Sequence, residues 1–215
     1  MKKIIALLLA LVISAFAFVS CQKEPPKHED LDLSAASIED FEETTKRTDY
    51  VLITVKDQGE ILIRLFPNVA PKTVENFKEL VSDKFYDGII FHRVIQGFMI
   101  QGGDPDGNGY GGSDKEITGE FTSNGFTNNL LHIRGVVSMA RTNDPNSATS
   151  QFFIMHKTTS SLDGDYASFG YVVYGMDVVD DIAKASVDQN DKPGNDIVMT
   201  SVRFADVSNV NFDIE

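Results

Sequence analysis

A regular alternation of apolar and polar residues near residue 50 restricts the fold of this chain more than any other feature of its sequence. In "YVLITVKDQGEILIRLF" the apolar residues Val51, Ile53 and Val55 precede a turn at Gly59, and the same spacing resumes after the turn. Successive side chains of a β-strand point to opposite faces, so each run offers one face to a core. The two runs therefore predict a β-hairpin, and with it an antiparallel sheet.

Two helical patterns interrupt a series of further strand-like runs. "NVAPKTVENFKELVSDKF" carries an apolar stripe with Pro71 in its first turn, and a second stripe begins after Gly175. The stripe residues are Val74, Phe77 and Val81 in the first helix and Val178, Val179 and Ile182 in the second. Because strands and helices do not alternate regularly, the sequence predicts a mostly β fold, an antiparallel sheet or barrel capped by helices.

The N-terminal residues are typical of a targeting signal. "MKKIIALLLALVISAFAFVSC" has two lysines, then an apolar run, then Cys21, the only cysteine of the chain. "FVSC" resembles a bacterial lipoprotein signal, which is cut before the cysteine that becomes acylated, although Phe18 stands where leucine is usual. We expect residues 1–20 to be a lipoprotein signal peptide and Cys21 to carry the lipid. The alternative is an ordinary secretory peptide cleaved nearby, with Cys21 incidental.

Charge and composition predict the rest of the domain organisation. Residues 21–47 are acidic and poor in large apolar residues, which favours a flexible tether before a globular domain at 48–215. The formal net charge is -13, and it becomes -15 without residues 1–20, which hold two lysines and no acid. This argues against binding to nucleic acid or to anionic lipid. We expect a monomer on the membrane through lipid on Cys21, an exported cell-envelope lipoprotein with its soluble domain in the periplasm or at the cell surface.

Motifs for metal, nucleotide and nucleophilic chemistry are missing from the sequence. It has no G-x-S-x-G, its four histidines lack close metal-ligand spacing, and "GNGYGG" lacks the GK[ST] ending of a phosphate loop. No metal or cofactor is therefore predicted. His92 precedes Arg93 in a predicted strand, so the two side chains should point to opposite faces. We interpret His92, His132 and His156 as hydrogen-bonded core or subsurface residues.

A group of amides and one arginine remains, set among large apolar residues. Its members are Arg93, Phe98, Met99, Gln101, Gln151, Phe152, Phe153 and Leu162. By residue type they form either a core in which the amides are satisfied or the polar edge of a ligand site.

Longer motifs resemble the cyclophilin family of peptidyl-prolyl isomerases over about residues 50–205. They are "FHRVIQGFMIQGGD", "GVVSMAR", "SQFFIM" and "LDGDYASFGYVVYGMDVVDDI", in this order after "NVAPKTVENFKELV". The resemblance implies an eight-stranded antiparallel barrel closed by two α-helices. It also implies cis-trans isomerisation of X-Pro bonds in unfolded or flexible envelope proteins, without a cofactor. The alternative is a proline-peptide binding or chaperone module with little turnover.

The same resemblance assigns roles to the residues of that group. Arg93 falls at the catalytic arginine, and Gln101 falls at the amide that orients the arginine and the substrate. The pocket for the proline ring would be formed by Phe98, Met99, Phe153 and Leu162.

Other residues would border this pocket. Gln151 would line the same groove, and the backbone of Ala140 and Arg141 would pair with the residue before proline, so a change of the Arg141 side chain should matter little. Tyr166 stands where many eukaryotic members have a histidine on the rim. Ser161 stands where those members have a tryptophan that contacts cyclosporin, so we expect weak sensitivity to that drug.

Overall fold

Nine strands of the computed structural model form a single antiparallel sheet. The structure describes residues 42–208, so the predicted signal peptide, Cys21 and most of the predicted tether lie outside the described residues. The strands are β1 Glu42–Thr44, β2 Tyr50–Val55, β3 Gly59–Leu65, β4 Arg93–Ile95, β5 Met99–Gly102, β6 Val136–Met139, β7 Phe152–Met155, β8 Ser168–Tyr174 and β9 Met199–Asp206. The helices are α1 Pro71–Ser82 and α2 Met176–Ala183.

The sheet has the order β1-β9-β2-β3-β8-β6-β7-β5-β4 and curls, so that β9 near one end meets the residues before β4 at the other. The amide of Phe91, just before β4, donates to the carbonyl of Ile197 at 2.9 Å, and Met199 in β9 donates to Ile89 at 2.9 Å. The predicted fold class is thus confirmed, with nine strands among residues 42–208 instead of eight. The additional strand is β1, which lies in the stretch predicted as a tether and pairs with β9.

The predicted β2–β3 hairpin is present, and the inward side chains of both strands are buried. One difference concerns the outer face, where Leu52 and Leu62 lie directly opposite each other and Leu62 is 0% exposed. Ala205 and Val207, at the end of β9, belong to the same outer cluster. The hairpin therefore buries residues on both faces, because the C-terminal strand brings its own apolar residues to the outside.

Both helices pack their predicted stripes against the interior of the curled sheet. Gly175, which precedes α2, has φ 84°, and a Cβ there would lie 2.0 Å from the carbonyl oxygen of Glu60, so only glycine fits. Within residues 42–208, neither helix is long and apolar enough to cross a bilayer.

Strand alternation separates the interior from a second apolar cluster on the opposite face of β5, β6 and β7. In β7, Phe152 lies in the interior with Phe77 and Tyr86, whereas the next residue, Phe153, lies in the second cluster. In β5, Met99 likewise belongs to the second cluster. This outer face carries the candidate site.

Candidate active site

An apolar cavity of about 180 Å³ opens on the outer face of β4, β5, β6 and β7. It is lined by Arg93, Phe98, Met99, Gln101, Ala140, Arg141, Phe153, Leu162 and Tyr166. The structure thus brings together every pocket residue expected from the sequence except Gln151, which lies in an adjoining cleft. Met99 and Phe153 are buried at the base of the cavity, and the others remain partly exposed.

Sheet register places the polar edge of the cavity in one row. Arg93 pairs with Gln101, Gln101 with Phe153, and Phe153 with Ser138, so these four side chains lie side by side across the sheet. The Nη1 group of Arg93 donates to Oε1 of Gln101 at 3.5 Å, which is long for a hydrogen bond.

Gln151 fixes the orientation of Gln101. The Nε2 group of Gln101 donates to Oε1 of Gln151 at 2.8 Å, which leaves the Gln101 oxygen for the arginine. Gln151 in turn donates to the carbonyls of Gly109 at 3.1 Å and Gly111 at 2.7 Å. The glycine-rich loop therefore holds the two amides in one direction.

Gln151 also lines a larger cleft of about 550 Å³ that continues from the cavity. Gln101, Ala140 and Arg141 are common to both, so the two spaces form one groove. The amide of Ala140 donates to the carbonyl of Gln151 at 2.9 Å and fixes this part of the wall.

His132 supports the base of the pocket from behind. Its ring stacks on Phe153 with 6.0 Å between centroids, its Nδ1 lies 3.0 Å from Oδ1 of Asp163, and its Nε2 lies 3.0 Å from the hydroxyl of Ser138. Burial lowers the pKa of His132, and Asp163 partly offsets that effect. The prediction of a hydrogen-bonded core histidine is confirmed. The hydrogen-bonded series of Ser138, His132 and Asp163 has the residue types of a hydrolytic triad. However, Ser138 is 0% exposed, so no substrate carbonyl can reach its hydroxyl.

Arg141 contributes more than its backbone to the rim. Its guanidinium lies 4.7 Å from the ring centroid of Tyr166 and 5.0 Å from that of Phe121. Its Nε donates to the carbonyl of Asp165 at 3.0 Å, and its Nη1 donates to that of Thr142 at 2.8 Å. The sequence expectation that this side chain matters little overlooked these contacts, because the stacked rings come from distant parts of the chain.

Asp191 is a further charged neighbour that sequence reasoning did not identify. One of its carboxylate oxygens lies 3.5 Å from Nε of Arg93. It belongs to the loop before β9, and no motif connects that loop with the strand of Arg93.

His92 is buried and does not line the 180 Å³ cavity, and one expectation for it is wrong. It is 5% exposed, and neither ring nitrogen has a hydrogen-bond partner among the described residues. The nearby carboxylate of Asp104 instead accepts the backbone amides of Asp106, Asn108 and Gly109. Burial lowers the pKa of His92.

No cluster of three or more histidine, cysteine or acidic side chains between residues 42 and 208 could hold a metal ion.

Comparisons with known proteins give the same family from sequence and from structure. The sequence model described as "Cyclophilin type peptidyl-prolyl cis-trans isomerase/CLD" matches residues 50–204. The chain is 46% identical over 145 residues to "Peptidyl-prolyl cis-trans isomerase cyp15" of Rhizopus delemar, covering 67% of this chain but only 22% of that relative. It is 44% identical over 143 residues to "Peptidyl-prolyl cis-trans isomerase-like 3" of Gallus gallus, covering 66% of this chain and 87% of that relative.

A solved structure agrees with these relatives. The crystal structure of a cyclophilin type peptidyl-prolyl cis-trans isomerase from Cryptosporidium parvum, obtained in the presence of the dipeptide Ala-Pro, superposes with a TM-score of 0.67. The two sequences are 32% identical, and the match covers 72% of this chain and 98% of that one. With sequence motifs, curled sheet and pocket lining in agreement, the chain belongs to the cyclophilin-type peptidyl-prolyl cis-trans isomerases.

Proposed function

We propose that this domain catalyses rotation about X-Pro peptide bonds in flexible segments of exported proteins. The observation that carries the proposal is the position of Arg93, a cation at the edge of an apolar cavity of about 180 Å³ and joined to an oriented amide. A module that only binds proline needs the cavity alone. The guanidinium at the edge of this cavity favours catalysis over mere binding.

The chemistry requires stabilisation of a twisted peptide bond. Amide resonance opposes rotation with a barrier of about 18–20 kcal/mol, and the unaided reaction takes tens of seconds or more. As the bond twists, the lone pair of the prolyl nitrogen leaves conjugation and becomes able to accept a hydrogen bond. An N–H donor fixed beside that nitrogen binds the twisted state more strongly than the planar one, which lowers the barrier.

Arginine suits this task because it stays charged at any workable pH and presents its donors in a rigid plane. Met99 and Phe153 offer the buried apolar surface that a proline ring needs. The adjoining cleft of about 550 Å³ offers room for neighbouring substrate residues. The relative crystallised in the presence of Ala-Pro supports the same class of ligand.

A protease-coupled isomerisation assay with an Ala-Pro peptide tests this proposal on the chain without residues 1–20. We expect Arg93→Ala to lower kcat/KM by about 10²–10³-fold, the range found when an oriented donor is removed from an active site, with peptide affinity changing far less. Arg47→Ala is the matched control, because Arg47 forms an exposed ion pair with Glu75 and lines no part of the cavity. Wild-type protein that binds the peptide without accelerating its isomerisation would favour the binding or chaperone alternative.

We propose further that the domain is monomeric and is held at the cell envelope by lipid on Cys21. The basic, apolar and cysteine order of the first 21 residues supports this location. Mass spectrometry of the mature N-terminus should find an acylated Cys21 in the wild type and no lipid in a Cys21→Ala variant. An unmodified start downstream of Cys21 would contradict the anchor. Light scattering on the soluble domain tests the monomeric state.

A further inference from the structure

We propose that Asp191 is a positioning residue, which orients the guanidinium of Arg93 by pairing with its Nε. This inference rests on the proposed function, because it assigns Asp191 a part in the same reaction. Its basis is the 3.5 Å ion pair between Asp191 Oδ2 and Arg93 Nε, together with the construction of the loop that carries Asp191.

The loop over residues 187–194 closes without using the side chain of Asp191. Asp188 donates its amide to the carbonyl of Lys192 at 2.9 Å, and its carboxylate accepts the amides of Asn190 at 2.8 Å and Lys192 at 3.0 Å. Among the described residues, the carboxylate of Asp191 makes no hydrogen bond to this loop. Asp188 therefore shapes the turn, and the carboxylate of Asp191 is left for Arg93.

The loop is attached to the strand that carries Arg93. The amide of Val94, the next residue in β4, donates to the carbonyl of Asp191 at 2.8 Å. The ammonium group of Lys192 donates to the carbonyl of Gly107 at 3.0 Å, which links the loop to the glycine-rich segment held by Gln151. These bonds keep the carboxylate of Asp191 at a fixed place relative to Arg93.

The backbone of Asp191 adopts φ 62°, in the left-handed region that favours glycine. Aspartate tolerates this region better than most residues, but glycine would adopt it more readily. The turn itself thus does not require a carboxylate at this position. The contact with Arg93 is the function that the structure offers for the Asp191 side chain.

The two partners of Arg93 contact different nitrogens of its guanidinium group. Asp191 faces Nε, Gln101 accepts from Nη1, and Nη2 has no hydrogen-bond partner among the described residues. The Arg93 side chain is 42% exposed, so a single weak hydrogen bond to Gln101 would leave it several rotamers. A second restraint at Nε reduces the number of rotamers that Arg93 can adopt and leaves Nη2 for the prolyl nitrogen. Such an exposed pair contributes little to stability, but orientation of the donor affects the rate directly.

Asp191→Gly is the sharpest test, because glycine accepts the left-handed backbone while removing the carboxylate. We expect kcat, measured by NMR exchange spectroscopy at saturating Ala-Pro peptide, to fall by roughly threefold to tenfold, with KM changed less than about twofold. Asp57→Gly is the matched control, since Asp57 is an exposed aspartate with φ 58° in the β2–β3 turn and lines neither cleft. It should retain wild-type kcat.

Two further measurements separate orientation from a general effect on the loop. Asp191→Asn keeps an oxygen acceptor and tolerates the left-handed backbone, so it should recover most of the lost kcat. The Nε resonance of Arg93 should shift in Asp191→Gly and stay in place in Asp57→Gly. Wild-type kcat in Asp191→Gly, or an equal loss in Asp57→Gly, would overturn the positioning role while leaving the proposed function intact. A wild-type chain without turnover would instead refute the proposed function.

Discussion

At the scale of single residues, the pocket depends on side chains whose direction is set by distant partners. Gln101 presents its oxygen to Arg93 because Gln151 takes its NH₂ group, and Gln151 is held by the glycine-rich loop. Phe153 is backed by the ring of His132. An amide with two possible orientations needs such a chain of bonds to select one of them.

The contacts of Arg141 lead to a prediction that differs from the one based on sequence. We expect Arg141→Ala to raise the dissociation constant for an Ala-Pro peptide by roughly threefold to tenfold, because loss of a cation–π contact worth about 1 kcal/mol frees the ring of Tyr166 on the rim. The rate at saturating peptide should change little, since Arg93 and Gln101 are untouched. Isothermal titration gives the affinity, and NMR exchange gives the rate. Wild-type affinity in Arg141→Ala would instead favour a role for its backbone alone.

The sequence predicted which residues would meet in the pocket, and it did so through motifs. It could not predict the roles of Asp191 and of the Arg141 side chain, because both depend on contacts between loops far apart in the chain. The same limit applies to His92. Among residues 42–208 its ring has no hydrogen-bond partner, which depends on how the Asp104 loop uses its own carboxylate.

At the scale of elements, helix α1 has an unusual N-terminal cap. Ala70 at the N-cap position has no side-chain oxygen, and the carboxylate of Glu120 takes over that role from a remote loop. It accepts the amides of Lys72 at 3.0 Å and Thr73 at 2.9 Å, and the hydroxyl of Thr73 at 2.8 Å. Glu120 is 1% exposed, so these bonds satisfy buried donors and place a negative charge at the positive end of the helix dipole.

We expect Glu120→Ala to lower the free energy of unfolding by about 3 kcal/mol, because it leaves buried helix amides without an acceptor and opens a cavity. Glu120→Gln keeps the shape and one oxygen, so its cost should be smaller, about 1–2 kcal/mol. Urea unfolding followed by circular dichroism measures both. Glu79→Ala, on the same helix in an exposed pair with Lys115, should change stability by less than about 0.5 kcal/mol. Similar losses for Glu120→Ala and Glu79→Ala would refute the capping role.

Local patterns predicted the hairpin and both helices because each has its own apolar periodicity. They did not predict β1 or the buried outer face of the hairpin. Leu52 occupies a position that alternation assigns to the polar face, and it is buried only because Leu62 and Ala205 meet it there. β1 is only three residues long and depends on β9 for its pairing. Both features arise from contacts between the two ends of the domain.

At the scale of the whole molecule, the domain combines a strongly acidic surface with two buried neutral histidines. With a net charge of -13, the chain is expected to lose charge repulsion as its carboxylates are protonated. Burial lowers the pKa of both His92 and His132. The folded chain therefore resists protonation of these rings, so their effect on the free energy of unfolding as the pH falls is destabilising. Carboxylates with a lowered pKa, such as that of Asp87 beside Arg203, stabilise the folded chain while they are ionised. This stabilisation is lost only as the pH falls below about 4. The two histidines therefore reduce stability as the pH falls below about 6.5, at a higher pH than the carboxylates do.

We expect the free energy of unfolding to fall as the pH decreases below about 6.5, the pKa of an unperturbed histidine, since the unfolded chain then binds protons that the folded chain excludes. Each buried histidine contributes up to about 1.4 kcal/mol per pH unit until its folded pKa is reached. Urea unfolding at pH 7.5, 6.5 and 5.5 in high salt, which screens the net charge, measures the slope. His92→Leu should make the slope shallower, because it removes one of the two rings whose folded pKa is lowered. An unchanged slope in His92→Leu would show that His92 does not exclude the proton.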